Sequence, residues 1–370
     1  MRNYSIRDLQ PGMKIAEPVY TSRGQLIMEK GTVLDSTLIA RLSFYGVYST
    51  KIDDSDSKKT EDQNPQVSTP NPSRASNPSY SQKIKSQPEF MAYQIEYSKE
   101  VNFIRSTFDT IIQNPGAPID VNEVLNDCSK LIALTKTTVD LFDKLHNMRL
   151  DDDSVYAHCL NVALIARRMG KWLNFSPEDL DVLTLCGLFH DIGKTSIPDE
   201  ILNKPGKYTD EEFALIQQHP LFGYKFLKNL PIDDRIKKAA LMHHERCDGS
   251  GYPQKLTTDD IDDFAEIIAI ADVYDAMTAA RSYRSPLCPF QAIDVFEKDG
   301  LQKYRPKYIL TFLNRIANTY QNNRVLLNNG QSANIVMINS KHLTKPMIQL
   351  DDGSVVDMLS LPNWEIIKII

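Results

Sequence analysis

Seven histidines occur in this 370-residue chain, and five of them, His158, His190, His219, His243 and His244, fall within one stretch of it. His190 stands directly before Asp191, and His243 directly before His244. Neutral imidazoles and carboxylates together suit iron, manganese or another first-row divalent ion better than an all-oxygen magnesium site. The His-Asp pair also ends an apolar run, residues 183–189, so two ligands would sit on a rigid element whose packing fixes their geometry. His146 and His342 stand apart from this grouping and read as ordinary structural or surface histidines.

Three segments carry the chemistry: HDIGK from His190 to Lys194, HHERCDGSGYP from His243 to Pro253, and ADVYDAMTAARSYR from Ala271 to Arg284. A phosphodiester carries a negative charge that repels hydroxide. Two ions roughly 3.5–4 Å apart can screen that charge, generate a bridging hydroxide near neutral pH and stabilise the departing alkoxide. Such a centre takes six ligands to single metals and one bridging carboxylate. The five clustered histidines with Asp191 and Asp272 supply that set.

The three motifs, in this order and wording, resemble the HD-GYP domains, the phosphodiesterase branch of the HD superfamily of metal-dependent phosphohydrolases. An HD dipeptide recurs by chance; the GYP segment with both flanking motifs is specific, and the match covers about half of the chain. The resemblance implies that His158, His190, Asp191 and Asp272 hold one metal. It implies that His219, His243 and His244 hold a second, with Asp191 bridging, and that the ions are iron or manganese. His158 is chosen because it begins an apolar helix at about the family's distance before HDIGK, and His219, in QQHPLFG, matches the family's middle His-Pro motif.

By the same resemblance, Lys194 offers its ammonium to a non-bridging phosphate oxygen in the transition state. Gly249, Gly251 and Pro253 shape a tight loop presenting Tyr252 to the ligand, the glycines permitting unusual backbone angles. Arg281 and Arg284, at helical i, i+3 spacing, face the second phosphate or a guanine. Asp248 and Asp275 brace the loop and the ligating imidazoles. Some members use a Glu one helical turn before the first His for a third metal. Ser154 stands there in this chain, and Asp151, Asp152 and Asp153 are out of register, so two metals are expected.

The implied activity is hydrolysis of cyclic di-GMP to pGpG, with the further step to GMP left open, and a cyclic dinucleotide as the partner. Two other readings are carried: a hydrolase of a related cyclic dinucleotide, since a GYP loop does not by itself choose the second base, and a catalytically silent receptor. HD-superfamily nucleotidases and alarmone hydrolases are identified by HD motifs without the GYP loop, which counts against them.

The expected fold is mainly α: an all-α HD-type helical catalytic domain over residues 151–323, with a small α+β N-terminal module and a small β C-terminal appendix. The module, residues 1–52, alternates β-like runs at 14–20, 25–29 and 46–52 with a helical stretch at 36–45. It resembles the small module that often precedes these domains; sensing, docking and homodimerisation are roles left open for it. Residues 53–88 are rich in Ser, Asn, Gln, Pro and Lys and cannot bury enough apolar surface to offset ordering entropy, so they read as a flexible linker. Helical patterns at 90–113 and 121–148 form a segment, 89–150, expected to pack on the catalytic domain. The appendix, residues 324–370, has β-like runs at 332–338, 347–350 and 354–359 between Asn-Asn-Gly and Asp-Asp-Gly turns.

Composition excludes other classes. A net charge of -6 lacks the basic footprint that DNA or RNA polymers require. The first residues have no apolar h-region, and no stretch approaches the ~20 apolar residues of a membrane span, so the expected location is the cytoplasm. The five cysteines lack CxxC pairing and read as reduced, mostly buried thiols.

Overall fold

The structure is a computed structural model describing residues 2–5, 9–10, 12–20, 26–34, 38, 42, 49–53, 84–148, 154–204, 206–278 and 287–370. It divides into two compact units, Met1–Lys99 and Glu100–Ile370.

The first unit holds two antiparallel pairs: β1 (Arg2–Ser5) with β4 (Ser49–Ile52), and β2 (Val19–Tyr20) with β3 (Leu26–Met28). They enclose a core that includes Ile15, Ile27, Leu34, Leu42 and Ile52. The β-like run expected at 14–20 is a strand only at its end. Lys14 and Ile15 instead make isolated bridges to Val33 and Ile52. The helix expected over 36–45 lies, apart from Leu38 and Leu42, outside the described residues, and so does the linker expected over 53–88 apart from Asp53 and residues 84–88.

Helix α1 (Pro88–Gln113) begins in the first unit and ends in the second. The apolar pattern over 121–148 is two helices, α2 (Val121–Ala133) and α3 (Thr138–Met148). Local capping cuts it: the Asp140 carboxylate accepts from Lys136 N at 2.8 Å while Thr137 Oγ1 accepts from Asp140 N at 3.1 Å. That reciprocal pair satisfies amides a new helix start leaves open.

Helix α4 (Val155–Trp172) starts at Ser154, whose hydroxyl accepts from Ala157 N, and α5 (Pro177–Phe189) starts at Ser176 with Pro177 in its first turn. After a 3-10 turn, Ile192–Ser196, come α6 (Asp199–Leu202), α7 (Asp210–Ile216), α8 (His219–Leu227) and α9 (Asp234–Met242). Helix α10 (Asp263–Thr278) follows, then α11 (Pro289–Asp299) and α12 (Pro306–Thr319). Helix α10 is buried nearly all round, through Ile267, Ile268, Ile270 and Ala271 among others, as a helix apolar on every face must be. Each fully buried isoleucine among them contributes about 1.5–3 kcal/mol over the exposed state. Helices α4, α5 and α10 thus form a rigid centre from whose ends polar side chains emerge.

The chain finishes in a five-stranded antiparallel sheet of order β8-β7-β6-β5-β9. The runs expected at 332–338, 347–350 and 354–359 appear as β6 (Ser332–Met337), β7 (Met347–Leu350) and β8 (Val355–Asp357). Strands β5 (Arg324–Leu327) and β9 (Ile366–Ile369) join them, β9 returning to pair with β5. The turn glycines Gly330 and Gly353 adopt positive φ, 83° and 85°. No helix among the described residues is long and apolar enough to cross a membrane.

Candidate metal centre

Five helices and a 3-10 turn converge on one point. His158 sits in the first turn of α4, and Asp272 on α10. His190 caps the C-terminus of α5 and Asp191 follows it into the 3-10 turn. His219 opens α8, while His243 caps α9 and His244 follows. Their ligand atoms form two groups, each within 4.8 Å: Asp191, His219, His243 and His244 in one, and His158, His190 and Asp272 in the other. All seven residues named from the sequence as ligands are therefore brought together.

Asp191 is grouped with His219, His243 and His244, and its second oxygen also faces histidines of the other group. Oδ2 lies 3.5 Å from His158 Nε2 and 3.4 Å from His190 Nε2. Oδ1 lies 3.2 Å from His219 Nε2 and 3.6 Å from His243 Nε2. The side chain is fully buried.

Backbone carbonyls set the ring orientations. His190 Nδ1 donates to Gly187 O at 2.8 Å, His219 Nδ1 to Ile216 O at 2.7 Å, and His243 Nδ1 to Ala239 O at 3.0 Å. A proton fixed on Nδ1 leaves a lone pair on Nε2. His219 Nε2 and His243 Nε2 then face each other at 3.2 Å as two acceptors, and both face a carboxylate oxygen. His190 Nε2 and Asp191 Oδ1 are buried with no hydrogen-bond partner. Buried polar atoms are almost always satisfied. Lone pairs and anionic oxygens pointing at common points are a donor set that divalent cations satisfy and protons cannot satisfy together.

His158 is oriented by Asp275, whose Oδ2 accepts from Nδ1 at 2.9 Å, turning Nε2 to within 3.0 Å of Asp272 Oδ1. Asp275 thus stands behind a ligating face rather than in it. Asp248 braces its loop, accepting from Ser250 N and Oγ at 2.9 and 2.6 Å. His146 lies near Tyr274 Oη at 3.4 Å, away from both groups.

Electrostatics follow from burial and neighbours. Burial alone would raise Asp191, yet Lys194 and His190 hold its carboxyl well below the usual range. Burial would lower Lys194, but Asp191 and Asp272 raise it. Burial takes His243 down to about 4, and burial with His243 and His219 takes His244 well below its ordinary value, so both rings are neutral near pH 7. His190 and His158 go the other way: burial would lower them, but Asp191 raises the first, and Asp272 and Asp275 the second.

Lys194 Nζ lies 2.5 Å from Asp191 Oδ2 with a fifth of its side chain, 20%, exposed. Tyr252 stacks on His244, ring centroids 4.6 Å apart at 26°, and its amide donates to His244 O at 3.2 Å. Gly251 is required by close approach: a Cβ there would lie 2.5 Å from Glu245 Cα and His244 O. At Gly193 a Cβ would collide with His219 O, so this glycine lets the turn after Asp191 pack onto the start of α8. Arg281 and Arg284 lie outside the described residues, as do Asp151, Asp152 and Asp153. Ser154 is the N-cap of α4, which explains why a hydroxyl serves there. Of the cysteines, Cys247 is half-buried and the other four are buried.

Two buried acids were not singled out in the sequence. Glu245 is buried and accepts from Gln254 N and Leu256 N. Glu266 is buried too, and accepts from Arg305 N and Cys247 Sγ. Only spatial burial reveals them, because an acid on a loop or in a first helical turn normally reads as solvated.

The family model of the HD domain matches residues 128–308. A cyclic di-GMP phosphodiesterase of Thermotoga maritima is 33% identical over 198 residues, 50% of this chain and 54% of that protein. A cyclic di-GMP phosphodiesterase of Pseudomonas aeruginosa is 38% identical over 141 residues, 38% of this chain and 34% of that one. A 3'3'-cGAMP-specific phosphodiesterase of Vibrio cholerae is 34% identical over 182 residues, 48% of this chain and 35% of the relative. The chain thus spans about a third to about half of the length of these relatives. Among solved structures, an HDG"Y"P protein from Bdellovibrio bacteriovorus shares the fold, with a TM-score of 0.56 at 17% identity over 85% of this chain and 99% of that one.

Proposed function

We propose that this chain, which belongs to the HD-GYP branch of the HD-domain phosphohydrolases, is a metal-dependent phosphodiesterase that hydrolyses cyclic di-GMP to pGpG, the further step to GMP being left open. The observation carrying this reading is the division of Asp191 between two histidine groups, one on each oxygen. The residues that would hold two divalent ions, iron or manganese, are His158, His190 and Asp272 for one, and His219, His243 and His244 for the other, with Asp191 shared. When bound, such ions supply Lewis acidity that activates water and screens phosphate charge.

The chain's own side chains do the rest. Asp275 and the carbonyls behind His190, His219 and His243 hold the imidazoles in one tautomer and one orientation, so no reorganisation is needed at the moment of reaction. Lys194, anchored on Asp191 and partly exposed, presents its ammonium to a non-bridging phosphate oxygen. Tyr252, fixed over His244, offers a ring face and hydroxyl to the dinucleotide, and Arg281 and Arg284 bind its second phosphate or a guanine. The ligand is a small cyclic dinucleotide, and an acidic chain suits this better than a polymer.

Similarity to a 3'3'-cGAMP-specific enzyme favours a second reading, in which the mixed dinucleotide is the substrate. The test is turnover of each dinucleotide, alone and in competition, by anaerobically metallated protein, with elemental analysis of the same sample. Preferential conversion of cyclic di-GMP to pGpG supports the first reading, and preference for the mixed substrate replaces it. Stoichiometric binding without cleavage makes the protein a receptor.

A further inference from the structure

We infer that Glu245 is a positioning residue that locks the Tyr252 loop to the ligand-bearing turn at His244, so that substrate contact and metal ligation move as one body. The inference rests on the proposed function only in its substrate arm.

Glu245 is 2% exposed, and among the described residues no lysine, arginine or histidine lies within ion-pair distance of it. Burying a carboxylate without a cation is costly unless hydrogen bonds compensate. Here each oxygen accepts one backbone amide: Oε1 from Gln254 N at 2.6 Å and Oε2 from Leu256 N at 2.9 Å. The two carboxylate oxygens offer two acceptors in that spacing; an amide would accept one bond and turn a donor against the other N–H. The two amides stand just beyond Tyr252 and Pro253, so the clamp closes the loop onto the residue directly after His244.

The rest of the loop confirms a single body. Tyr252 N donates to His244 O at 3.2 Å, Gly251 lies against the backbone of His244 and Glu245, and Arg246 Nη1 donates to His243 O and Glu245 O at 3.0 and 2.7 Å. The tyrosine ring covers the imidazole face at 4.6 Å. Release of Glu245 would free the loop's far end and let that ring leave His244.

The test compares Glu245→Gln with the unaltered chain by amide hydrogen exchange, elemental analysis and kinetics on cyclic di-GMP. The Tyr252 amide should exchange about tenfold faster in the variant although its own acceptor is unchanged, because the opening unit is the whole loop. Bound metal should be retained. KM should rise more than kcat falls, and Tyr252→Ala should add little in the Glu245→Gln background, since coupled residues are non-additive. An unchanged Tyr252 amide, or kinetic effects of the two substitutions that multiply independently, overturns the inference. Should the unaltered protein cleave no dinucleotide, the proposed function fails and the exchange result alone decides on Glu245. Should Glu245→Gln fail to fold, Glu245→Asp, which keeps both oxygens but withdraws them by one methylene, carries the same readouts.

Discussion

His219 and His243 bring their Nε2 atoms to 3.2 Å of each other while the Nδ1 of each donates to a backbone carbonyl. Two lone pairs facing at that distance repel, and each also faces Asp191 Oδ1. The fold holds this repulsion in place through the ends of α8 and α9, which is preorganisation for a cation.

Chelation is therefore expected to destabilise the protein, and returning manganese or iron should restore it in a concentration-dependent manner. A ligand of the folded state at a hundred times its Kd contributes about 2.7 kcal/mol. Thermal melts with and without a chelator measure this; coincident melting curves across a manganese titration would remove the metal centre.

Asp191→Ala removes the oxygens that both histidine groups share. Both metals and all dinucleotide turnover should be lost together, while substituting a ligand of one group alone should spare the other ion. Elemental analysis of the purified variant decides: full metal stoichiometry would disprove the bridging role.

Asp275→Asn keeps the shape behind His158 but replaces the anionic acceptor of its Nδ1 proton. Loss of such an outer partner typically lowers metal affinity or activity by about 10–100-fold. Competition with a chromogenic chelator should show one of the two ions weakened by that factor; equal affinity of both sites to the unaltered protein would mean Asp275 does not orient the ring.

The pH dependence should change sign with metal. In metal-free protein, His158 and His190 have pKa values raised above the ordinary 6.5. Their contribution to stability is complete below about 6.5 and is lost as pH rises through the folded-state values. His243, depressed to about 4 mainly by burial, opposes folding only as pH falls from 6.5 toward that value. Ions must displace the protons on His158 and His190, so metal affinity should rise with pH over the window in which the metal-free form loses their contribution. Melts above pH 6.5 should slope downward without metal and upward with it, and calorimetry in buffers of different ionisation heat should register proton release on loading. Parallel slopes would contradict the raised values.

The sequence alone determined which donors exist and what they suit. Five clustered imidazoles, Asp191 and Asp272 were legible because ligand chemistry depends on residue type, and HDIGK and GYP because close backbone approaches demand particular residues at fixed places. The helical character of the centre was legible too, since α5 and α10 are apolar over lengths only buried helices need. The cut between α2 and α3 was not read, because an apolar stripe continues through it and only the reciprocal Thr137 and Asp140 capping ends it. Strand β9 was missed because its partner β5, which also pairs with nearby β6, lies more than thirty residues away.

Tertiary structure alone decided direction. That Asp191 turns one oxygen to each histidine group, that carbonyls of Gly187, Ile216 and Ala239 fix the tautomers, and that Glu245 is buried against two amides all depend on helix ends meeting across long stretches of chain. Residue type sets what an atom can donate or accept; only packing sets where it points and how much water it keeps, and these fix charge state and ligand geometry.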